Sequence, residues 1–359
     1  MKPFASYAAA TMFIAAGLAS AVLPARAGEM AYIPLGSDNK LALVDVGTDK
    51  VVGTIEGLPA VHGLAGTPDG RLLIAGSYKG RERDSTAPAK PSGVAADEHA
   101  AHHATSASPL GSKSSEISTL TIIKTADRSV TRRIDVPGAV HHVAVSSDGR
   151  LAVVTHPSED SISAIDLTSY EVVANLSTGP LPNYAAFSPD GKSVYVSNAG
   201  NGTVSTVDVE RWIVSWNTPV GATPEHVVLS DDGKTLYVNN VDDGTVSVID
   251  TAERKVARTI PIGKTLHGID LSDDGKTLFV VALGDEQLTA VDLATGKSRE
   301  ISLKPAPYHL AAIRRSSKLY VSSADKPKLW VLDQKSLKVT GEIPIGGKGH
   351  QLVHVVGGS

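Results

Sequence analysis

The chain is expected to be all-β, a seven-bladed β-propeller closed into one ring, and three observations predict it. An Asp that ends an (A/T/V)-(I/V/L)-Asp strand recurs at Asp166, Asp208, Asp250 and Asp292, 42 residues apart each time, and again at Asp333 after 41. Counting back 42 from Asp166 gives Lys124, and Asp45 lies 79 before that. A second register holds His62, His141, Asn183, Glu225, His267, His309 and His350, with steps of 79, 42, 42, 42, 42 and 41. Between these markers each unit reads as four short alternating strands. A fixed period of this length signals a solenoid, an array or a propeller.

The unit that starts at Glu225 serves as the type. HVVLS at 226–230 is a short apolar strand, SDDG at 230–233 a turn, and KTLYVNN at 234–240 an alternating strand. TVSVID at 245–250 and KVARTIP at 255–261 complete the set. Apolar spacing of two, with Val, Ile and Thr dominant, excludes a helical reading. Four strands of five to seven residues separated by Asp/Gly turns make one antiparallel blade. Inner strands start near 62, 141, 183, 225, 267, 309 and 350, which gives seven blades. Three strands over 30–56 and one over 350–356 are expected to complete a single blade that joins the termini and leaves only short, protected edges.

The first blade is longer than the others by 37 residues (79 minus 42). The excess, about 80–116, is rich in Ala, Ser, Pro and charge, and too poor in apolar residues to order itself. It contains DEHAAHH at 97–103, so His99, His102 and His103 would share one face of a transient helix and offer a weaker, flexible metal-capturing tract.

Composition bounds the rest. The 359 residues are 42% apolar and 20% charged, with 33 Gly, 20 Pro and a net charge of −4. That balance suits one turn-rich globular domain and gives no basic footprint for nucleic acid. Residues 1–27 read as a secretory signal: Lys2, an apolar run over 7–23, then Ala25, Arg26 and Ala27 before Gly28. The run is short for a membrane span and no later segment approaches 18 apolar residues, so a soluble, periplasmic, monomeric domain over 28–359 is expected. There is no cysteine. Disulfides and thiolate ligands are therefore excluded, which leaves His and carboxylates for any metal.

Strand direction alternates within a blade, so loops can be assigned to faces. The second register opens the innermost strands, and the insert is a second-to-third connection, which puts both on one face. Five imidazoles (His62, His141, His267, His309, His350) and Glu225 would then ring the mouth of the central channel. Three or four of them suffice for an ion at 2.0–2.1 Å, with Glu225 a ligand or an orienting partner. Zn²⁺ is the first choice and Cu²⁺ the second. Ligation should weaken as pH falls through about 6.5, where imidazole protonates. The competing reading is that each His only hydrogen-bonds the next blade's backbone. His142 and His226, one position further on, read as structural residues facing a neighbouring blade. His156 reads as a turn cap, His354 as packing, and the Asp register as turn acceptors of backbone N–H.

VYVSN at 194–198, LYVNN at 236–240, SPDG at 188–191 and TVSVID at 245–250 resemble the YVTN-type seven-bladed propeller repeat, across essentially the whole chain after residue 27. Architecture, export and a His-rich segment beside a His-bearing face are also similar to the propeller-type zinc metallochaperones that serve ABC zinc importers. That likeness implies metal carriage and a partner such as a periplasmic solute-binding protein. Two other functions stay open. Propellers related to streptogramin lyases use a His with Mg²⁺ on the same face, and here His267 or His309 would be the base, although Mg²⁺ prefers oxygen and the register supplies one carboxylate. A redox-associated subunit using His on the same face belongs with that enzymatic reading, and a protein-interaction scaffold is the other class. No nucleophile–base pair, phosphate loop or carboxylate dyad points to hydrolysis.

Overall fold

A computed structural model describes residues 28–82 and 116–355. The proposed signal over 1–27 and His99, His102 and His103 lie outside the described residues. Those described form seven antiparallel sheets, and their only helical turns are three one-turn 3-10 segments. The chain is a seven-bladed β-propeller.

The fourth blade shows the plan: β17 (Pro224–Leu229), β18 (Thr235–Asn240), β19 (Thr245–Asp250) and β20 (Lys255–Pro261) pair in sequence order. Its hairpins are fixed by the residues that mark the repeat. Asp250 accepts N–H bonds from Ala252 and Glu253, as Asp166 does from Thr168 and Ser169. In the SPDG turn Ser188 donates to Asp190, and the Ser193 amide closes on Ser188 at 2.9 Å. The Asp register is structural, as expected.

The ring closes through a shared seventh blade. β29 (Val353–Val355) pairs antiparallel with β1 (Met30–Leu35), followed by β2 (Lys40–Asp45) and β3 (Lys50–Glu56). Apolar side chains fill each gap between neighbouring sheets. Ile33, Leu35, Tyr320, Leu329 and Ile343 pack between blades six and seven, and Leu41, Leu43, Leu64, Leu73 and Ile123 between seven and one. At roughly 1.5–3 kcal/mol for each fully buried Val, Leu or Ile side chain, this packing does the work a disulfide-free chain needs.

Two details depart from a plain repeat. In the first blade β4 (Val61–Gly66) is followed by β5 (Leu72–Ser77), β6 (Arg81–Glu82), β7 (Glu116–Lys124) and β8 (Val130–Pro137). Arg81 pairs with Ile117 and Glu82 with Glu116, so both ends of the insert are built into the sheet. The other departure is in the fifth blade. Elsewhere the third and fourth strands are offset by a bulge, such as that between Val248 and Ile249. β23 (Gln287–Asp292) and β24 (Ser298–Ser302) pair with none. The missing bulge residue accounts for the 41-residue step from Asp292 to Asp333.

Candidate metal centre

Five inner strands, β4 among them, begin with a bulge, and just before the inner strand of the second blade His141 and His142 both bond one residue, Thr155. In β13 (Pro182–Phe187) the pairing jumps from Pro182 to Ala185, so Asn183 and Tyr184 together face one residue, Ser197. The same jump occurs in β17 from Pro224 to Val227, in β21 (Leu266–Leu271) from Leu266 to Ile269, and in β25 (Pro307–Ala312) from Pro307 to Leu310. A bulge sets two residues against one and suspends the up-down alternation of a strand. Two consecutive side chains per blade can then reach the same space. The first of each pair is His62, His141, Asn183, Glu225, His267 or Tyr308, with His350 in the segment before β29. The second is Gly63, His142, Tyr184, His226, Gly268, His309 or Gln351.

Two expectations are corrected by this geometry. The single-residue deletion falls in β24, before β25, so Tyr308 occupies the first register and His309 the second. His226, read from the sequence as structural and turned toward a neighbouring blade, instead joins the cluster. Its ring centroid lies 4.3 Å from that of His267 and 5.1 Å from that of His309, while His267 and His309 stand 4.5 Å apart. One ligand atom from each of these three residues lies within 4.8 Å of the other two. All three are buried.

The remaining register residues continue the circle. His350 lies 5.4 Å from His309 and 4.3 Å from His62, and His62 lies 4.6 Å from His141. Tyr308 packs on His267 at 3.8 Å, Tyr184 on His226 at 4.1 Å, and Tyr78 stacks on His62 at 4.8 Å. Tyr78 follows β5 and precedes the insert, so this end of β5 lies on the face that carries the imidazoles. No ring residue in this circle among the register positions is more than 8% exposed. The centre is thus a buried plug of interlocked rings, where the sequence suggested an open crown.

Tautomers are set by the neighbouring blade. His62 Nδ1 donates to the His141 carbonyl at 2.8 Å, and His141 Nδ1 to the Asn183 carbonyl at 3.1 Å. These are the inter-blade bonds of the competing structural reading, yet they also leave Nε2 as the basic nitrogen, which is how a ligating imidazole is usually oriented. His142 does the reverse: Nδ1 accepts the Ala185 amide at 3.2 Å, which assigns it to packing. His156 Nδ1 donates to Ala139 O at 3.2 Å and its Nε2 lies 2.8 Å from Ser163 Oγ, a cap as expected. His354 Nδ1 accepts the Arg314 amide at 3.2 Å.

Burial dominates the electrostatics. It lowers His62 to about 3, helped by His141, and His142 to about 3, helped by His62. These rings are neutral well below pH 6.5, so at His62 the expected loss of ligating ability on acidification moves to lower pH. Glu225 is pushed up to about 8 by burial, and the charge of Asp242 adds to the effect. Its Oε2 lies 3.9 Å from His226 Nδ1, which places the carboxyl beside the three-His group.

The donor set fits a borderline cation. Around a tetrahedral ion with bonds of 2.0–2.1 Å, neighbouring nitrogens stand about 3.3 Å apart. The three imidazoles would need to draw in by up to about 1.5 Å from their present 4.8 Å limit.

Residues 183–275 match the model of the YNCE-like beta-propeller family. This match and the seven-bladed architecture support a YVTN-type propeller repeat. No curated protein matches it. Among solved structures it is similar to Kuenenia stuttgartiensis hydrazine synthase, at 19% identity and a TM-score of 0.65, over 83% of this chain and 90% of that one. It is also similar to a functionally unknown protein from Desulfotomaculum acetoxidans DSM 771, at 13% identity and a TM-score of 0.71, over 92% and 100%. A third is dihydro-heme d1 dehydrogenase NirN in complex with DHE, at 14% identity and a TM-score of 0.63, over 90% of this chain and 66% of that one. At these identities the likeness is one of fold. Among the described residues no helix is long and apolar enough to cross a membrane.

Proposed function

We propose that this propeller is an exported metal-binding protein that holds Zn²⁺, or Cu²⁺, through His226, His267 and His309 and carries the ion to a partner. The observation that supports this most is that three buried imidazoles from three successive blades keep their ligand atoms within 4.8 Å of one another. A hydrophobic core has no need of such a group. Imidazole suits both ions, and Cu²⁺ binds a given nitrogen site more tightly than Zn²⁺, so supply and geometry decide between them. Mg²⁺ chemistry of the lyase kind is disfavoured, because the group offers nitrogen where that ion wants oxygen.

Within this reading Glu225 supplies an oxygen ligand or orients His226, while His62, His141 and His350 line the way to the triad. His99, His102 and His103 gather ions more weakly from the insert, whose stem emerges beside Tyr78. The signal-like composition of residues 1–27 supports export to the periplasm, where a solute-binding protein of a metal importer is the fitting recipient. A second reading is a redox-associated propeller. It draws on Tyr184 and Tyr308 packed against the imidazoles, and on the names of two fold relatives, hydrazine synthase and dihydro-heme d1 dehydrogenase.

Elemental analysis of the purified mature protein, followed by competitive titration with Zn²⁺ and Cu²⁺, tests the proposal. One tightly held ion is expected, lost in His226→Gln and in the His267→Ala/His309→Ala pair and kept in His142→Gln. Deleting residues 95–105 should remove only weaker binding. A wild-type protein that neither retains nor competes for either ion refutes the reading.

A further inference from the structure

The way the ring closes bears on the same centre. Six blades are continuous hairpins, but the seventh is assembled from both ends of the chain. Its inner strand, β29, pairs with β1 at only three positions: Met30 with Val355, Ala31 with His354 and Tyr32 with Val353. The matching inner ladders of the other blades have three or four pairs, but there a hairpin turn joins the two strands, and here none does. Before β29 the chain crosses from Pro344, the end of the sixth blade, to the seventh, and this crossing carries His350. The His350 amide donates to Pro34 O of β1 at 3.0 Å, so the residue is pinned to the N-terminal part of the seventh blade. Its ring is buried, 5.4 Å from His309, 5.4 Å from Tyr308 and 4.3 Å from His62.

The three-His group draws on blades four, five and six, and His350 is the next imidazole in the circle, on blade seven. Resting on the metal-binding reading, we propose that the bound cation takes His350 as a further ligand and thereby locks the ring at its seam. An ion held by His226, His267, His309 and His350 ties four consecutive blades, the last of them the one formed by the two termini. Three imidazoles leave a four-coordinate ion one position short. Of the imidazoles that flank the group on its blade-six side, His350 is the one carried by the closing segment. Without the ion the closing segment is held by three ladder pairs, by the bonds of the His350 amide to Pro34 O, of the Leu64 amide to Gln351 and of the Arg314 amide to His354 Nδ1, and by the apolar contacts of Leu352 and Val355. With it, coordination bonds span the same seam. Ion uptake and closure then become linked equilibria, and whatever loosens the C-terminal segment loosens the ion.

Hydrogen exchange and competitive titration with Zn²⁺ alone, on the full mature chain, test this. Zn²⁺ should slow exchange at 349–355 and in β1 at least about tenfold, with a smaller effect on the distal strands β18 and β19. His350→Gln should still bind Zn²⁺ through the triad, but about 10- to 100-fold more weakly, the range that loss of even an outer-sphere partner costs. In that variant the slowing at the seam should disappear. A C-terminal truncation after Gly349 should match His350→Gln if it folds, and the point variant decides the matter if it does not. Unchanged affinity in His350→Gln, or Zn²⁺ that binds wild type without slowing the seam, overturns the proposal and leaves the three-His reading standing. Zn²⁺ that binds neither protein overturns both.

Discussion

Gly268 is the position where fold and site can be separated by one methyl group. It is the second residue of the β21 bulge, and the backbone of β25 lies directly over it. A Cβ at Gly268 would stand 2.6 Å from Leu310 N, 2.9 Å from Tyr308 O and 3.0 Å from His309 C. Ordinary contact begins near 3.4 Å, so the facing strand would have to retreat by up to about 0.8 Å. The obstructing atoms are peptide atoms, and no side-chain rotation relieves them. Overpacking of this kind costs about 1–3 kcal/mol. Because the retreating segment carries His309, Gly268→Ala should also weaken Zn²⁺ binding at least about tenfold, or ~1.4 kcal/mol. Gly63→Ala is the matched control. Its Cβ would meet His141 O at 2.9 Å and His142 backbone atoms at 3.1 Å, between blades one and two, which carry none of the three triad residues. Urea unfolding and Zn²⁺ competition on both variants give the answer. Both should unfold earlier than wild type, and only Gly268→Ala should lose affinity. A Gly268→Ala protein with wild-type unfolding and wild-type affinity would refute the claim that close backbone approach sets the triad.

Two predictions concern pH in the metal-free protein. His142 and His156 are lowered by burial to about 3 and about 4, so below pH 6.5 the unfolded chain binds protons that the folded one does not. Stability should fall as pH drops from 6.5 toward 4, by about 1.4 kcal/mol per pH unit for each such group, and His142→Gln should flatten the slope of urea midpoint against pH. Glu225 runs the other way. Its folded value of about 8 lies above the ordinary carboxyl value of 4.5, so between those limits the folded state holds the extra proton and stability declines as pH rises. Glu225→Gln should therefore raise the urea midpoint at pH 8 relative to that at pH 5, compared with wild type, and an unchanged difference would show that Glu225 is not the group responsible.

The fold was legible because a propeller repeats its turns: the Asp register and the SPDG-type turns stand in the sequence at the places where they bond in the structure. The site was legible only in part, and two local irregularities explain why. The first is the bulge. An alternating strand sends residues i and i+1 to opposite faces, and on that rule His226 turns away from Glu225 and out of the cluster. The bulge from Pro224 to Val227 cancels the rule, and no residue type at 224–227 announces it. The second irregularity left a trace. The Asp register takes its 41-residue step between Asp292 and Asp333, whereas a 42-residue step from His267 leads to His309. The two registers cannot both keep phase between Asp292 and Asp333, and the unbulged β23–β24 pairing puts the missing residue before β25, which makes Tyr308 the counterpart of His267.

These two irregularities together assemble the triad. A strictly periodic chain would set seven equivalent side chains around the axis, each bonded to the next blade as His62 and His141 are. A one-residue deletion in β24 moves an imidazole from the first register to the second, beside Gly268, where the absence of a Cβ lets β25 approach. His309 then meets His267 from the first register and His226 from the second, which a single register would have kept apart. The same deletion leaves Tyr308, not His, at the first position, packed on His267. A donor group suited to one ion therefore arises where the repeat is broken, and the unbroken blades supply the rigid frame that keeps it in place.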